Sequence, residues 1–569
     1  MSNSITSANA VRCVLQQYAV RSVFALAGAS QSVLLDELDK NGIRIVQSRH
    51  ETATVGAADG YARTRRGVGV AVINADQGMA NAVTGVQSAF EACSPVVILV
   101  GREPHTWLEP EHPVDHDELA VLRHVTKWAR TCHSAARLAE YVEIACRKAL
   151  SGRPGPCVVA YPKDLLTREV SLGIAPATAR IQRARPAPDP TAVADAANLF
   201  AHAKRPVVIA GSGAYWSGAD HVLRRFSERF GVPILMNAMG RGLVPEDLNL
   251  GWPWPVAQTA VGQADLVVWA GARPTRRLGY GLAPRFSPQA HMIQIDICAE
   301  ELSRNRPMDV PMLADVKLAI EQLHGALDAQ GAPRGDARWL SEALVDRVGV
   351  FVEKSEQQTP QVNPYRIGTE LMQRIGSGTL LVNDGAVILT RMFGVLRFSV
   401  PGAYADTYPL GSMGMGTPLA IGAAVAEQDF AADENRAPRK VVLVTGDGSF
   451  GFYPSELATA VIENLPITVI VANNRSWGNE LIMQPAVIGR TLNADLGDID
   501  YAAIGRAMGL FSEVASSNSE LPGALDAVLA SSRASLLDVR VTESPLEARE
   551  MTLFYTDVEN TRARHFSHL

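Results

Sequence analysis

Cysteine is scarce in this chain and nowhere paired at short spacing. The six cysteines (Cys13, Cys93, Cys132, Cys146, Cys157, Cys298) are scattered without a C-x-x-C pattern. They read as reduced, mostly buried thiols of a cytoplasmic protein. Long hydrophobic runs are also missing. No apolar stretch approaches the roughly 20 residues that cross a bilayer, and Met1–Asn9 lacks a signal-peptide profile, so no membrane association is expected. Nor does one sign of charge prevail: the formal net charge is −6 over 569 residues, which excludes the basic footprint of a nucleic-acid binder. What remains is a globular composition, 47% hydrophobic and 20% charged. The length accommodates about three domains at roughly 100–200 residues each.

Three segments of alternating helical and strand pattern follow one another, which predicts parallel sheets with helices on both faces. In the first, the spacing predicts helices over 8–18, 31–41 and 51–63, with strands over 22–26, 44–48, 68–74 and 95–100. Arg183–Pro190 reads as a linker, being rich in proline and charge. The second segment has strand patterns at 206–210, 233–236, 266–270 and 292–297, and Trp252-Pro253-Trp254-Pro255 reads as a packed loop. Glu353–Pro364 reads as a second linker before a third segment that runs from Tyr365 to about Val541. The first and third segments share a similar alternation. The fold class expected is α/β, with three doubly wound parallel-sheet domains over residues 1–182, 190–345 and 360–545 and a tail over 546–569.

The third segment carries the clearest chemistry. Gly446-Asp447-Gly448 follows the strand pattern 440–445, and Asn473-Asn474 follows the strand pattern 467–472, with helical spacing over 453–464 between them. Such a β-α-β unit places Asp447 and Asn474 at the carboxyl ends of parallel strands, where open α/β sheets bind ligands. A carboxylate and an amide oxygen, with backbone carbonyls, are hard donors suited to Mg²⁺ and phosphate. Each dipeptide alone reads as a turn or a helix cap.

Glu51 stands where a strand gives way to a helix, in Arg49-His50-Glu51, followed by Ala57-Ala58-Asp59-Gly60-Tyr61-Ala62. Alone it reads as a carboxylate favoured in a helix's first turn. Together with the later pair, in order and separation, these residues resemble the thiamine diphosphate (ThDP)-dependent decarboxylases and carboligases. The resemblance spans nearly the whole chain. It is nearest to the branch of acetolactate synthase, benzaldehyde lyase and the 2-hydroxyacyl-CoA lyase/oxalyl-CoA decarboxylase enzymes. Asn473–Gly478 and Leu410–Gly414 look most like benzaldehyde lyase, and Gln294–Ile297 with Ala314–Lys317 look like the branch's middle domain.

That resemblance implies pyrimidine-binding, middle and diphosphate-binding domains. It implies that Asp447, Asn474 and the Ser476 carbonyl hold Mg²⁺, and that Gly385, Ala386, Gly448, Ser449 and Gly478 meet the phosphates. Met413 would enforce the bent cofactor, the Gly411 carbonyl would accept from the pyrimidine amine, and Asn81 and Trp477 would line the cofactor. Glu51 would hydrogen-bond the pyrimidine N1′ and set the tautomer that activates the cofactor, since a carboxyl in an apolar pocket can hold a proton near neutrality. Relatives place this glutamate and the metal loop on different subunits, which implies a homodimer at minimum and a homotetramer as the expected assembly. FAD or ADP in the middle domain, near Gly211-Ser212-Gly213 and Gly271–Arg277, is open but not favoured.

The substrate-facing positions depart from the best-known members. Leu26-Ala27-Gly28-Ala29-Ser30-Gln31 replaces a proline-glycine-glycine loop, and Asn74-Ala75-Asp76-Gln77-Gly78 stands where Gly-Pro-Gly or Gly-Gly-Gly is usual. Gln77, His112 and His116 are therefore the catalytic candidates beside Glu51, the histidines as acid/base groups. The activity expected is a C–C lyase or carboligase on small carbonyl substrates, 2-oxo acids or 2-hydroxy ketones. The alternatives are a 2-hydroxyacyl-CoA lyase or oxalyl-CoA decarboxylase-like enzyme and, from another class, a non-catalytic ThDP-binding homologue.

Overall fold

The computed structural model describes residues 4–107, 119–171 and 184–542. Three six-stranded sheets follow one another along these residues, every neighbouring pair of strands parallel. Across the first sheet the strands run Arg44–Gln47, Ser22–Ala25, Gly69–Asn74, Val96–Arg102, Cys157–Pro162, Trp128–Thr131. Across the third they run Tyr404–Asp406, Thr379–Asn383, Lys440–Gly446, Ile467–Asn473, Ser535–Arg540, Phe511–Ala515. Both have the order 2-1-3-4-6-5, so the similar alternation of the two segments reflects one topology used twice. The middle sheet runs Gly251–Pro253, Ile234–Met236, Pro206–Ala210, Leu266–Ala270, His291–Asp296, Val310–Leu313, the 3-2-1-4-5-6 order of doubly wound sheets. Central strands are unbroken apolar runs because helices cover both faces; Val96 to Val100 and Val207 to Ala210 are wholly buried.

Three local expectations are corrected. The helix expected over 453–464 is a 3-10 turn at Pro454–Glu456 and a short helix at Leu457–Ile462, because Pro454 starts a new turn there. The linker expected from Glu353 begins later, since Val350–Glu356 is helical and Asn363 caps the next helix, Pro364–Arg374. Trp252-Pro253 is not loop: Gly251–Pro253 is the edge strand of the middle sheet, with Trp252 and Trp254 buried and Trp254 stacked on Phe286. Proline is tolerated at such an edge. The thiols are free, with Cys132, Cys146 and Cys157 buried and the other three half-buried.

The first and third sheets meet through two helices, Glu51–Arg65 and Gly416–Phe430. Their backbones nearly touch, and a β-carbon at Gly422 would stand 1.8 Å from the Ala57 carbonyl oxygen, so any larger residue there separates the helices. Beside this contact Asp59 and Arg63 form a buried ion pair at 2.6 Å, and Arg63 also donates to the Asp406 carbonyl at 2.8 Å. Removing either partner leaves a buried charge, which costs about 3–5 kcal/mol. Among the described residues no helix is long and apolar enough to cross a membrane.

Candidate active site

At the carboxyl end of Lys440–Gly446 the chain turns directly into a short helix, Asp447–Phe450. Asp447 is buried. Its Oδ1 accepts from the Gly448 amide at 2.9 Å, while its Oδ2 has no partner. Burial pushes the carboxyl up to about 6, against the lowering effect of the Gly448, Arg475 and Ser476 amides. An unpaired buried acceptor costs about 1–3 kcal/mol, and a cation at Oδ2 would relieve it.

The neighbouring strand ends in two asparagines with different tasks. Asn473 turns into the sheet and donates to Asp538 Oδ1 at 3.0 Å. Asn474 faces the same cleft as Asp447, and its Oδ1 accepts from the Ser476 amide at 3.2 Å. No cluster of three or more His, Cys, Asp or Glu suited to a metal occurs among the described residues. A cation here would thus find one carboxylate, an amide oxygen and carbonyls, and would complete its shell from a ligand's phosphates and water, which suits Mg²⁺. The donor set fits the group that the sequence implies.

The cleft has a volume of about 570 Å³, within the range of small-molecule sites. Gly385, Ala386, Gly411, Met413, Gly448, Ser449, Trp477 and Gly478 all line it, as do Asn474 and Ser476. Gly385 adopts φ +90°, a conformation that side chains resist, and so turns the chain along the cleft wall.

The sequence reading missed Asp384. This buried carboxylate ends the strand Thr379–Asn383 and accepts from the Gly385 amide at 2.6 Å and the Gly416 amide at 2.9 Å. It also takes the Gly414 amide and the Ser449 hydroxyl, and burial pushes it up to about 6. One side chain thus ties together the three loops that line the cleft. The only signal in the sequence was a polar pair, Asn383-Asp384, directly after an apolar strand. Glu480 was missed as well. It lies in the first turn of the helix Gly478–Ile488, lines the cleft and accepts from Gln484 at 3.1 Å.

Glu51 is buried at the start of its helix, with Asn81 Nδ2 donating to its Oε2 at 3.1 Å. His50 caps that helix, its Nδ1 accepting from the Thr52 amide at 3.1 Å. Glu456 from the third segment accepts from the Arg49 amide at 2.9 Å and so fixes the turn. Gln77 starts the helix Gln77–Glu91 and is exposed, while the next residue, Gly78, packs against Glu51. Glu51 does not line its own chain's diphosphate cleft; the Tyr453 ring, 5.2 Å from that of His50, lies beside the turn. His112 and His116 and the tail lie outside the described residues.

Three domain models match the chain in order: the thiamine pyrophosphate enzyme N-terminal TPP binding domain over 5–123, the central domain over 193–323, and the C-terminal TPP binding domain over 388–539. Acetolactate synthase 2, chloroplastic, of Nicotiana tabacum is 30% identical over 484 residues, covering 82% of this chain and 70% of that protein. The chain belongs to the thiamine diphosphate enzyme family. A probable acetolactate synthase of Mycobacterium bovis is 29% identical over 545 residues, 95% of this chain and 96% of that protein. The human 2-hydroxyacyl-CoA lyase 1 is 28% identical over 486 residues, 83% and 81% of the two chains. The three domain models and these relatives make this chain a ThDP-dependent carboligase or lyase of the acetolactate synthase and 2-hydroxyacyl-CoA lyase branch.

In this ThDP enzyme a cavity of about 120 Å³ lies where Gly211, Gly213, Gly271 and Arg273 of the middle segment meet Glu91 and Arg153 of the first. That is well below the roughly 300–1,000 Å³ of ligand pockets. The Arg273 guanidinium donates to the Glu91 carbonyl at 2.8 Å.

Proposed function

We propose that the protein is a Mg²⁺- and ThDP-dependent C–C bond lyase/carboligase acting on 2-oxo acids or 2-hydroxy ketones. The observation that carries this reading is the buried, unpartnered Asp447 oxygen beside Asn474 and Ser476 in a cleft of cofactor size. Bound ThDP supplies the carbon nucleophile and electron sink that let a C–C bond beside a carbonyl break or form. The chain's residues do the rest. Asp447, Asn474 and the Ser476 carbonyl hold the cation, while Asp384 keeps the phosphate-side loops in register. Glu51, steadied by Asn81, holds or releases a proton at its carboxyl oxygen.

The cleft and Glu51 belong to different sites of one chain in this reading, and a second copy completes each. Exposed apolar side chains support it: Met413 and Phe452 line the cleft, and Met483 and Val487 lie on the helix Gly478–Ile488 that starts at it, with Val487 75% exposed. Such a patch marks a surface that a partner covers.

Apoprotein supplied with ThDP and Mg²⁺ is expected to turn over acetoin, benzoin or pyruvate. Cleavage of a 2-hydroxyacyl-CoA with none of these would favour the acyl-CoA lyase reading, and ThDP binding without turnover of any would favour a non-catalytic homologue.

A further inference from the structure

The loop between Asn74 and Gly78 holds a residue that its own geometry does not explain. Asp76 adopts φ +64° and ψ −121°, the first central position of a type II′ turn, where glycine is the residue without strain. Aspartate is otherwise favoured as an N-cap because its side chain bonds the first turn's amides. Asp76 precedes the helix Gln77–Glu91 yet makes no such bond, and its Oδ1 is buried without a partner. Capping, the ordinary structural reason for an aspartate here, is therefore absent, and the backbone is strained as well.

The adjacent strand end repeats the pattern. Gln31 precedes the helix Ser32–Lys40, makes no capping bond, is fully buried, and leaves both amide atoms unpartnered. Their two loops meet at Gly101. A β-carbon at Gly101 would stand 3.0 Å from Gln31 Cγ, and the Gly101 carbonyl accepts from the Ala75 amide at 3.0 Å. Ser30 donates to Asn74 Oδ1 at 2.7 Å between them. The catalytic carboxyl is near: a β-carbon at Gly78 would stand 3.2 Å from Glu51 Oε1 and 3.5 Å from Asn74 Cβ. These groups sit at the carboxyl ends of paired parallel strands, Ser22–Ala25 and Gly69–Asn74, the edge at which such sheets receive ligands.

We propose that Asp76 and Gln31 form a substrate subsite beside Glu51 that receives a hydroxyl group, so that uncharged 2-hydroxy ketones are taken in preference to 2-oxo acids. The carboxylate of Asp76 accepts from a hydroxyl and repels a substrate carboxylate. The Gln31 amide offers both N–H donors and a carbonyl acceptor, matching a hydroxyl or a carbonyl rather than a charge. A buried polar group left unpaired in the free protein discriminates sharply, because a substrate lacking the partner leaves it unpaired. This subsite deepens the proposed lyase/carboligase reading and rests on it.

The test compares wild type, Asp76→Gly and Asp76→Asn as holoenzymes, with acetoin and pyruvate as probes. Asp76→Gly is expected to melt about 2 °C or more above wild type, since it relieves the turn, and to bind ThDP within about threefold of wild type. Its kcat/KM ratio for acetoin over pyruvate should fall at least about tenfold, with a fall in the same direction for Asp76→Asn. A ratio within twofold of wild type in Asp76→Gly overturns the subsite. So does an Asp76→Gly melting point at or below wild type, whatever the turnover, because the strain would then not be held for a ligand. Turnover of neither probe by wild type contradicts the proposed function instead, and an Asp76→Gly melting point at or below wild type still overturns the subsite.

Discussion

Replacing Glu51 by glutamine lowers kcat by roughly 10²–10⁴-fold while ThDP and Mg²⁺ affinities stay within about threefold of wild type. The size follows from the contribution that a positioned proton-transfer group makes. The split between rate and affinity follows from the geometry. Glu51 is absent from the lining of the diphosphate cleft, so the variant keeps every contact that holds the cation and phosphates. Glutamine also preserves the shape and the acceptor that takes the Asn81 amide at 3.1 Å, so the first turn of the helix stays in place. What it removes is the ability to hold or release a proton at that oxygen. Steady-state rates together with a ThDP titration followed by the fluorescence of Trp477, which lines the cleft, check both halves. Equal losses in rate and affinity would place Glu51 in cofactor binding rather than in activation.

Asp447→Asn has the opposite signature. Mg²⁺-dependent ThDP binding weakens upward of about 100-fold, more than the 10–100-fold typical of losing a group behind a metal ligand. The apoprotein, by contrast, melts at or above the wild-type temperature. The carboxylate is 3% exposed with one oxygen unpartnered, so without a cation it is a destabilising group, and its removal relieves that cost. Cofactor at 100 times the wild-type Kd stabilises the wild type by about 2.7 kcal/mol, and the same concentration stabilises the variant by about 0.4 kcal/mol or less. Differential scanning calorimetry of both proteins with and without ThDP and Mg²⁺ measures it. An apo variant that melts well below wild type would make Asp447 a structural residue.

Much of this was legible in the chain because the strands are buried on both faces. Runs such as Val96–Val100 and Ile467–Ala472 can be little else, and the glycine, aspartate and asparagine positions mark where those strands end. Spacing could not separate Asn473 from Asn474 by task. One turns into the sheet toward Asp538 and the other into the cleft, a distinction set by the direction the chain takes after the strand. Asp384 escaped notice because its work is done through backbone amides of a loop about 30 residues away and the Ser449 hydroxyl about 65 residues away, and no local pattern records such bonds. The strain at Asp76 is likewise a property of φ and ψ. The sequence supplied only an acidic residue in a loop between a strand and a helix.

In the assembly we propose, each active site joins Glu51 of one subunit to the Asp447 cleft of another. Mixing the inactive variants Glu51→Gln and Asp447→Asn under conditions of subunit exchange tests it directly. A mixed dimer carries one site with both residues intact and one with neither, so equal mixing should recover roughly a quarter of wild-type activity by the statistics of pairing. No recovery, with exchange verified by mass, would contradict the account and place both residues of each site within one chain.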